Sequence, residues 1–404
     1  MRTIRYLSGA AYGMHFADQI TLVSVPLIAA LAFGASPSVI GILVACQSAA
    51  HLLGSVPFGL LVDRRQLRTL ALVSGAMALC GCFIASLSVS ATAILSFGIG
   101  VTLAGFGAVL FGLTSLSILP KAVPPEGLAR ANAAIEIPRA LWSFLVPLAI
   151  GLFMERVALW SVFAFAVVGA AFALALMMRL PRFEVVLATR EPALASVREG
   201  GWYVLGHNLL LPISLCSVFW NFAFAALLVA LVPVIQEVYF FESGSFGISL
   251  AAFGLAAVLG SWTMGRVGNA VAPSMILIGG PASSVVAAVA LLLIGPESDP
   301  LLLYAAFFLL GFGPSMWLVV QNSIRQLVAP PAMLGRVNAV IQTAIYGIRP
   351  LGALAGGFAA GTWGPEAALV LVMVAYGASL AASFLGGLRR VSSFEMLRAP
   401  VVSD

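Results

Sequence analysis

Long apolar stretches separated by short polar connections run along the whole chain. A helix that crosses about 30 Å of hydrocarbon needs about 20 apolar residues. This template predicts twelve membrane spans in two groups of six, with a polar segment at 181–207 between the groups. The predicted spans lie near 7–32, 39–62, 69–89, 92–119, 131–153, 158–180, 209–236, 246–264, 273–295, 301–326, 336–360 and 366–388.

The composition excludes a soluble protein, because 61% of the residues are hydrophobic and only 9% are charged, whereas a soluble domain carries about 25% charged residues. We therefore expect an all-α integral membrane protein built from two six-helix bundles. The expected parts are an N-terminal bundle at 1–180, a cytoplasmic linker at 181–207, a C-terminal bundle at 208–390 and a cytoplasmic tail at 391–404.

The basic residues predict the orientation in the membrane. If both termini are cytoplasmic, the inside connections hold nearly all the arginines, Arg325 among them, and the only lysine, Lys121, while Arg156 stands alone outside. This agrees with the positive-inside rule. The net charge of +5 is spread over these connections rather than gathered on one face, which argues against a nucleic-acid partner.

The two halves repeat at an offset of 206 residues, which predicts halves of the same orientation related by an axis along the membrane normal. Apolar residues are so common in this chain that many of their matches arise by chance. The Pro-Pro match and the Arg-x-Asn match are stronger evidence, because these residues are rare or polar in such segments. The matching positions are Gly105 to Gly107 with Gly311 to Gly313, Pro124 and Pro125 with Pro330 and Pro331, and Arg130 and Asn132 with Arg336 and Asn338.

A ten-residue motif, 59–68, follows the second predicted span. It resembles the major facilitator superfamily pattern Gly-x-Leu-x-Asp-Arg-x-Gly-Arg-Arg/Lys, from which positions 66 and 67 depart. The matching residues are Gly59, Leu61, Asp63, Arg64 and Arg68.

This resemblance implies a cytoplasmic gate. It implies that Asp63 meets the N-terminus of the eleventh span near Gly335, where a helix dipole favours a carboxylate. It also implies that Arg64 and Arg68 hold the cytoplasmic side shut in the outward-open state. The alternative is that these charges only set the topology.

Further segments narrow the resemblance: Ala17 and Asp18, Val25 to Leu27, Arg130 to Ala133 with Arg139, and Gly347 to Gly352. They resemble the enterobactin-exporter and macrolide-efflux branch of the superfamily. This resemblance implies efflux of siderophores or drugs, commonly driven by protons. Of the exporter motif Gly-Pro-x-x-Gly-Gly, the fifth span keeps only Pro147 and the final Gly151.

Ionisable residues inside predicted spans are candidates for proton coupling, because they are costly in a bilayer. Asp18 lies roughly 17 Å into the first span, with His15 one turn earlier and His51 midway along the second span. A carboxyl group in a low-dielectric cavity can exchange protons near neutral pH. We expect Asp18 to carry the proton, with Glu136 as the next candidate. The alternatives are a permanently hydrogen-bonded Asp18 and histidines that are merely packed; no zinc site is expected.

Polar stripes in the fifth and eleventh spans predict a substrate site near the midplane between the halves. Steps of three and four put each stripe on one helix face. Arg139 and Arg349 are expected to meet an anionic substrate, with Gln342 and Tyr346 beside them; in the alternative, Arg349 pairs with Asp18 or Glu136. Aromatic residues are expected either to hold a flat ligand or simply to pack: Trp142, Trp220, Trp317 and Tyr346.

The expected function is alternating-access secondary transport, most simply proton-coupled export of a small organic molecule, with import by the same fold as the alternative. Repeated halves with buried charges argue against a channel or a scaffold. No catalytic motif argues for an enzyme, and no cofactor is expected. We expect a monomer in the inner membrane whose partners are substrate, protons and lipid.

Overall fold

A computed structural model describes residues 2–123, 128–153, 156–183, 193–267, 270–330 and 333–397. Within these ranges the chain forms thirteen α-helices and no strand. The helices are α1 (Arg2–Phe33), α2 (Pro37–Arg64), α3 (Leu67–Ser90), α4 (Ile94–Ala122), α5 (Leu128–Phe153), α6 (Leu159–Met177), α7 (Ala193–Gly206), α8 (Leu210–Pro233), α9 (Gly244–Val267), α10 (Pro273–Leu293), α11 (Leu301–Val328), α12 (Leu334–Trp363) and α13 (Pro365–Ala382).

The predicted fold class is confirmed: the described part of the chain is helical, with twelve long helices and the short α7. Eleven of the described helices are long and apolar enough to cross a membrane. Helix α12 has 30 residues, but it is not among them, because Tyr346, Arg349 and several glycines make it less apolar. Helix α7 lies in the polar segment at 181–207, for which the sequence predicted only a linker.

Two turns between long helices use the same local chemistry. Gly34 ends α1 with a φ of 59°, and Pro37 opens α2. Gly364 ends α12 with a φ of 95°, and Pro365 opens α13. Glycine accepts a positive φ without steric cost, and proline suits the first turn of a helix because its missing N–H needs no partner there. Short turns of this kind keep neighbouring helices antiparallel.

Successive long helices therefore end alternately at two ends of the molecule. We call the end where α6 ends and α8 begins the linker end, and the opposite end the far end. Helices α1 to α6 pack mainly on one another, as do α8 to α13, and the two sets meet mostly where α2 packs on α12 and α5 packs on α9. The division into bundles at 1–180 and 208–390 stays a prediction.

Glycine contacts join the two sets of helices at the far end. A Cβ atom on Gly41 of α2 would lie 2.7 Å from the carbonyl oxygen of Ala353 in α12. A Cβ atom on Gly151 of α5 would lie 2.6 Å from the amide nitrogen of Ile248 in α9. Real Cβ atoms do not come within 3.0 Å of such neighbours, so these helices touch backbone to backbone. We call this contact the far-end seal; its glycines are Gly41, Gly151, Gly247 and Gly357.

At the linker end, α7 attaches the linker to α12 and α11. Glu199 of α7 forms an ion pair with Arg336 in the first turn of α12. The hydroxyl of Tyr203 donates to the carbonyl oxygen of Val328, the last residue of α11, at 3.0 Å. Helix α7 also approaches α12 through backbone, because a Cβ atom on Gly200 would lie 2.8 Å from the carbonyl oxygen of Arg336.

Candidate substrate cavity and buried carboxyl group

A cavity of about 430 Å³ lies among α8, α9, α10, α11 and α12, and α5 contributes one side chain, Arg139. Its α8 residues fall between 216 and 221, near the linker-end start of that helix, and its α11 residues reach Arg325 in the last turn. No described residue from the far-end parts of these helices, such as 234–246 or 291–304, lines it. The cavity therefore extends from the middle of the helices towards the linker end.

The structure brings all four predicted substrate residues to this one cavity: Arg139, Gln342, Tyr346 and Arg349 line it together. The Nε of Arg349 donates to Oδ1 of Asn221 at 2.9 Å, and its guanidinium lies 5.7 Å from the ring centre of Tyr346. The alternative required Arg349 to pair with Asp18 or Glu136. Within the described part of the chain, neither residue forms an ion pair with it. The role of these residues in binding substrate stays a prediction.

Arg139 also has a carboxylate neighbour. Its Nη1 lies 3.7 Å from Oε2 of Glu136, one turn earlier on α5, and the two side chains are 56% and 61% exposed. An ion pair this exposed contributes little free energy, so Arg139 stays available to other anions. Glu136 itself is not among the described residues that line the cavity.

The structure corrects one sequence prediction, which placed Arg325 among the charges of a cytoplasmic connection. Arg325 lies within α11, the residue is only 7% exposed, and it lines the cavity. Its Nη2 donates to Oδ1 of Asn322. A basic residue near a helix end is typical of a topology charge, and for this reason the sequence pattern misassigned it. Packing of α11 against α9 and α10 turns this face inward.

Comparing the two halves of the internal repeat would have singled out Arg325 from the sequence. At the offset of 206, Gln321, Asn322 and Arg325 of α11 correspond to Ser115, Leu116 and Leu119 of α4. The bounds of the two helices agree with the offset, since α4 begins at Ile94 and α11 at Leu301. The polar cluster therefore occurs in one half only.

Asp18 lies apart from the large cavity, inside the packing of α1, α3 and α4. It borders a small cavity of about 10 Å³ with Cys82 and Ala104. Within the described residues, its carboxyl group has no hydrogen bond or ion pair. The alternative, in which Asp18 is permanently hydrogen-bonded, therefore has no bonding partner for it there. One turn earlier, the Nε2 of His15 is buried and also lacks a hydrogen bond in the described structure. Helix α1, which carries both groups, packs against α5, which carries Arg139.

The predicted gate motif begins inside a helix, because α2 continues through Arg64 and α3 begins at Leu67. Gly59 therefore lies within α2, where a Cβ atom would meet no neighbour. The Nη2 of Arg68 donates to the carbonyl oxygen of Met178, at the end of α6, at 2.8 Å. The side chains of the remaining predicted residues fall outside the described part of the structure: His51, Asp63 and Arg64.

Of the predicted aromatic residues, Trp220, Trp317 and Tyr346 line the cavity, whereas Trp142 packs on Phe16 with ring centres 4.7 Å apart. Among the described residues, no group of three His, Cys, Asp or Glu could hold a metal ion. The arrangement thus consists of an arginine-lined, partly aromatic cavity and a separate buried carboxyl group.

Comparison with known proteins decides the family. The model of the Major Facilitator Superfamily matches residues 7–353. The chain belongs to this superfamily. Among its similar relatives are the enterobactin exporters EntS of Escherichia coli O1:K1, 25% identical, and of Salmonella typhimurium strain LT2, 26% identical. Each comparison extends over 305 residues, 74% of this chain and 72% of the relative.

Solved structures of superfamily transporters share the fold. A POT family transporter in complex with 5-aminolevulinic acid superposes with a TM-score of 0.76 at 12% identity, over 94% of this chain and 95% of the other. A D-xylose–proton symporter superposes with a TM-score of 0.75 at 12% identity, over 98% and 99% of the two chains. The shared fold agrees with the family model, which assigns the chain to a superfamily of membrane transporters.

Proposed function

We propose that this superfamily member exports a small anionic organic molecule, such as a siderophore or an acidic drug, in exchange for protons. The observation that carries the proposal is the charge of the large cavity. Arg139, Arg325 and Arg349 line it, and no Asp or Glu does so among the described residues. Such a lining attracts anions and repels cations. Efflux is the favoured direction because the enterobactin exporters are among the similar relatives.

The cycle follows from the position of the cavity. In the described state it extends towards the linker end, while the far-end seal closes the other end. We propose that the linker end is cytoplasmic and that the bundles 1–180 and 208–390 rock about the cavity, as in other transporters with repeated halves. The seal would then open while Gly59, Asp63, Arg64 and Arg68 approach the C-terminal bundle.

Proton coupling is assigned to Asp18, with His15 and His51 as relays and Glu136 as the second candidate. Asp18 would take up a proton when the far end is open and release it at the linker end. Arg139 would supply the link between proton and substrate, because it lines the large cavity and its helix, α5, packs against α1, which carries Asp18.

Import is the second candidate, and the same electrostatics favours it. A bound anion would lie beside Arg139 of α5, an ionised Asp18 lies on the neighbouring α1, and like charges repel each other. An anion and a proton on Asp18 would therefore be carried together, as in a symporter.

Transport into everted vesicles of the host membrane separates the two directions. With enterobactin as the probe, export predicts accumulation when the vesicle interior is acidified, accompanied by proton release from the interior. Import predicts uptake only when the interior is alkaline. Vesicles without the protein, and vesicles carrying Asp18→Asn, are the controls. Accumulation that is independent of either gradient would contradict proton coupling.

A further inference from the structure

The cavity contains a second buried guanidinium group at its linker end. Arg325 lies three residues before the end of α11, roughly 5 Å from it along the axis, whereas Arg349 lies fifteen residues into α12, roughly 22 Å from its start. Both helix ends face the linker end. The backbone positions of the two arginines therefore lie at different depths along the cavity.

Arg325 has no carboxylate partner within the described structure. Its Nη2 donates to the neutral Oδ1 of Asn322, which also accepts a bond from Nε2 of Gln321 at 2.8 Å. The Nε of Arg325 and the Oε1 of Gln321 are buried without any hydrogen bond in the described part of the chain. Buried polar groups are normally satisfied, and a buried charge normally has a counter-charge. The α11 C-terminal dipole offers only partial compensation.

We propose that Arg325, held by Asn322, forms a second anion-binding subsite, and that Arg349 forms the first. The cavity then selects molecules that carry two separated anionic groups on a flat core over molecules that carry one. Trp317 and Trp220 line the same cavity as these arginines, and indole rings suit an aromatic core. The volume of about 430 Å³ falls in the range of sites for drug-sized ligands. This inference rests on the proposed transport of anions.

Two probes of matched shape test the subsite: biphenyl-4,4′-dicarboxylate and biphenyl-4-carboxylate. Their binding to the purified full chain in lipid nanodiscs is measured by isothermal titration calorimetry. We expect the dicarboxylate to bind the wild-type protein at least tenfold more tightly than the monocarboxylate. Arg325→Gln should reduce this ratio to below threefold and leave the monocarboxylate affinity within about threefold of the wild type. Arg325→Lys should keep part of the preference, because it retains the charge.

The matched control is Arg266→Gln. Arg266 also lies in the last turn of a helix at the linker end, but it is exposed and stacks on Trp262, 4.2 Å from the ring centre. The Arg266→Gln variant should leave the ratio of dicarboxylate to monocarboxylate affinity unchanged. Asn322→Leu, which copies the residue at the equivalent position of α4, provides a second variant if Arg325→Gln fails to fold.

Equal affinities of the two probes for the wild type, or the same preference in Arg325→Gln and the wild type, would overturn the second subsite. Absence of saturable binding by either probe would do so as well. The proposed substrate cavity fails separately if Arg349→Gln changes the binding of neither probe. Loss of monocarboxylate binding in Arg349→Gln, with no effect of Arg325→Gln, would leave the cavity in place and remove only the second subsite.

Discussion

The two halves of the molecule hold their buried charges in opposite ways. In the N-terminal half, Asp18 borders a cavity of about 10 Å³. In the C-terminal half, Arg325 and Arg349 line a cavity of about 430 Å³. A proton needs almost no volume, whereas an organic molecule needs a cavity of drug-like size. Under the proposed function, the carboxyl group beside the small cavity would serve the proton and the arginine-lined cavity would serve the substrate.

Helices α4 and α11 display the same difference at the level of single residues. They occupy equivalent positions of the repeat, yet α11 carries Gln321 and Arg325 where α4 carries Ser115 and Leu119. Both helices pack inside their own half. A repeated framework can therefore support different sites, because a few substitutions on one inward face change its chemistry without changing the fold.

The strongest test of this comparison removes the acid of the N-terminal half. Asp18→Asn preserves the shape of the side chain but cannot be ionised, so gradient-driven transport of enterobactin should fall by more than about tenfold. Binding in the C-terminal cavity should persist, since Asp18 does not line it. Everted-vesicle transport and calorimetric binding measure the two quantities separately. Transport that still accumulates substrate against its gradient would place the proton carrier elsewhere.

The complementary test removes the central charge of the C-terminal half. Arg349→Gln should weaken binding of biphenyl-4-carboxylate by about 1.5–3 kcal/mol, the size of a hydrogen bond to a charged group, which is roughly 10- to 150-fold. Arg349→Lys should retain part of the affinity but lose the planar, two-pronged geometry. Normal binding by both variants, measured by calorimetry, would make Arg349 structural and remove the contrast between the halves.

A substitution in the far-end seal tests whether the two halves move relative to each other. Gly247→Leu should destabilise the described state by about 1–3 kcal/mol through overpacking, and so favour the state in which the far end is open. Thiol labelling of a cysteine at Ser38 from outside, in a background without the native cysteines, should then become several-fold faster. Gly112→Leu is the control, because a Cβ atom there meets no neighbour. Equal labelling rates in both variants would argue against a moving seal.

The smallest expected effect belongs to Glu136. Its ion pair with Arg139 is exposed, and such pairs contribute roughly 0–1 kcal/mol. Glu136→Gln should therefore change the transport rate less than about fivefold, as measured in the same vesicles. A larger loss than that caused by Asp18→Asn would transfer the proton-coupling role from α1 to α5.

Helix positions and the main cavity residues were accessible from sequence for physical reasons. Apolar length predicts the spans, and the stripe from Gln342 to Arg349 must turn away from lipid, so its inward position follows from helical spacing. Arg325 was not accessible in this way, because a charge in a last helical turn can face either water or a neighbouring helix. The same limit applies to Asp18, whose depth was predictable but whose neighbours Cys82 and Ala104 depend on the packing of three helices.

The glycines of the far-end seal also bear on the surroundings of the cell. The seal brings backbone surfaces together, and no ion pair joins the two halves there in the described residues. Salt screens charges but hardly affects van der Waals contact. If the far end faces outward, changing salinity outside the cell would leave the closed face unaffected. Diluting or concentrating the salt of the medium would then not weaken this closure.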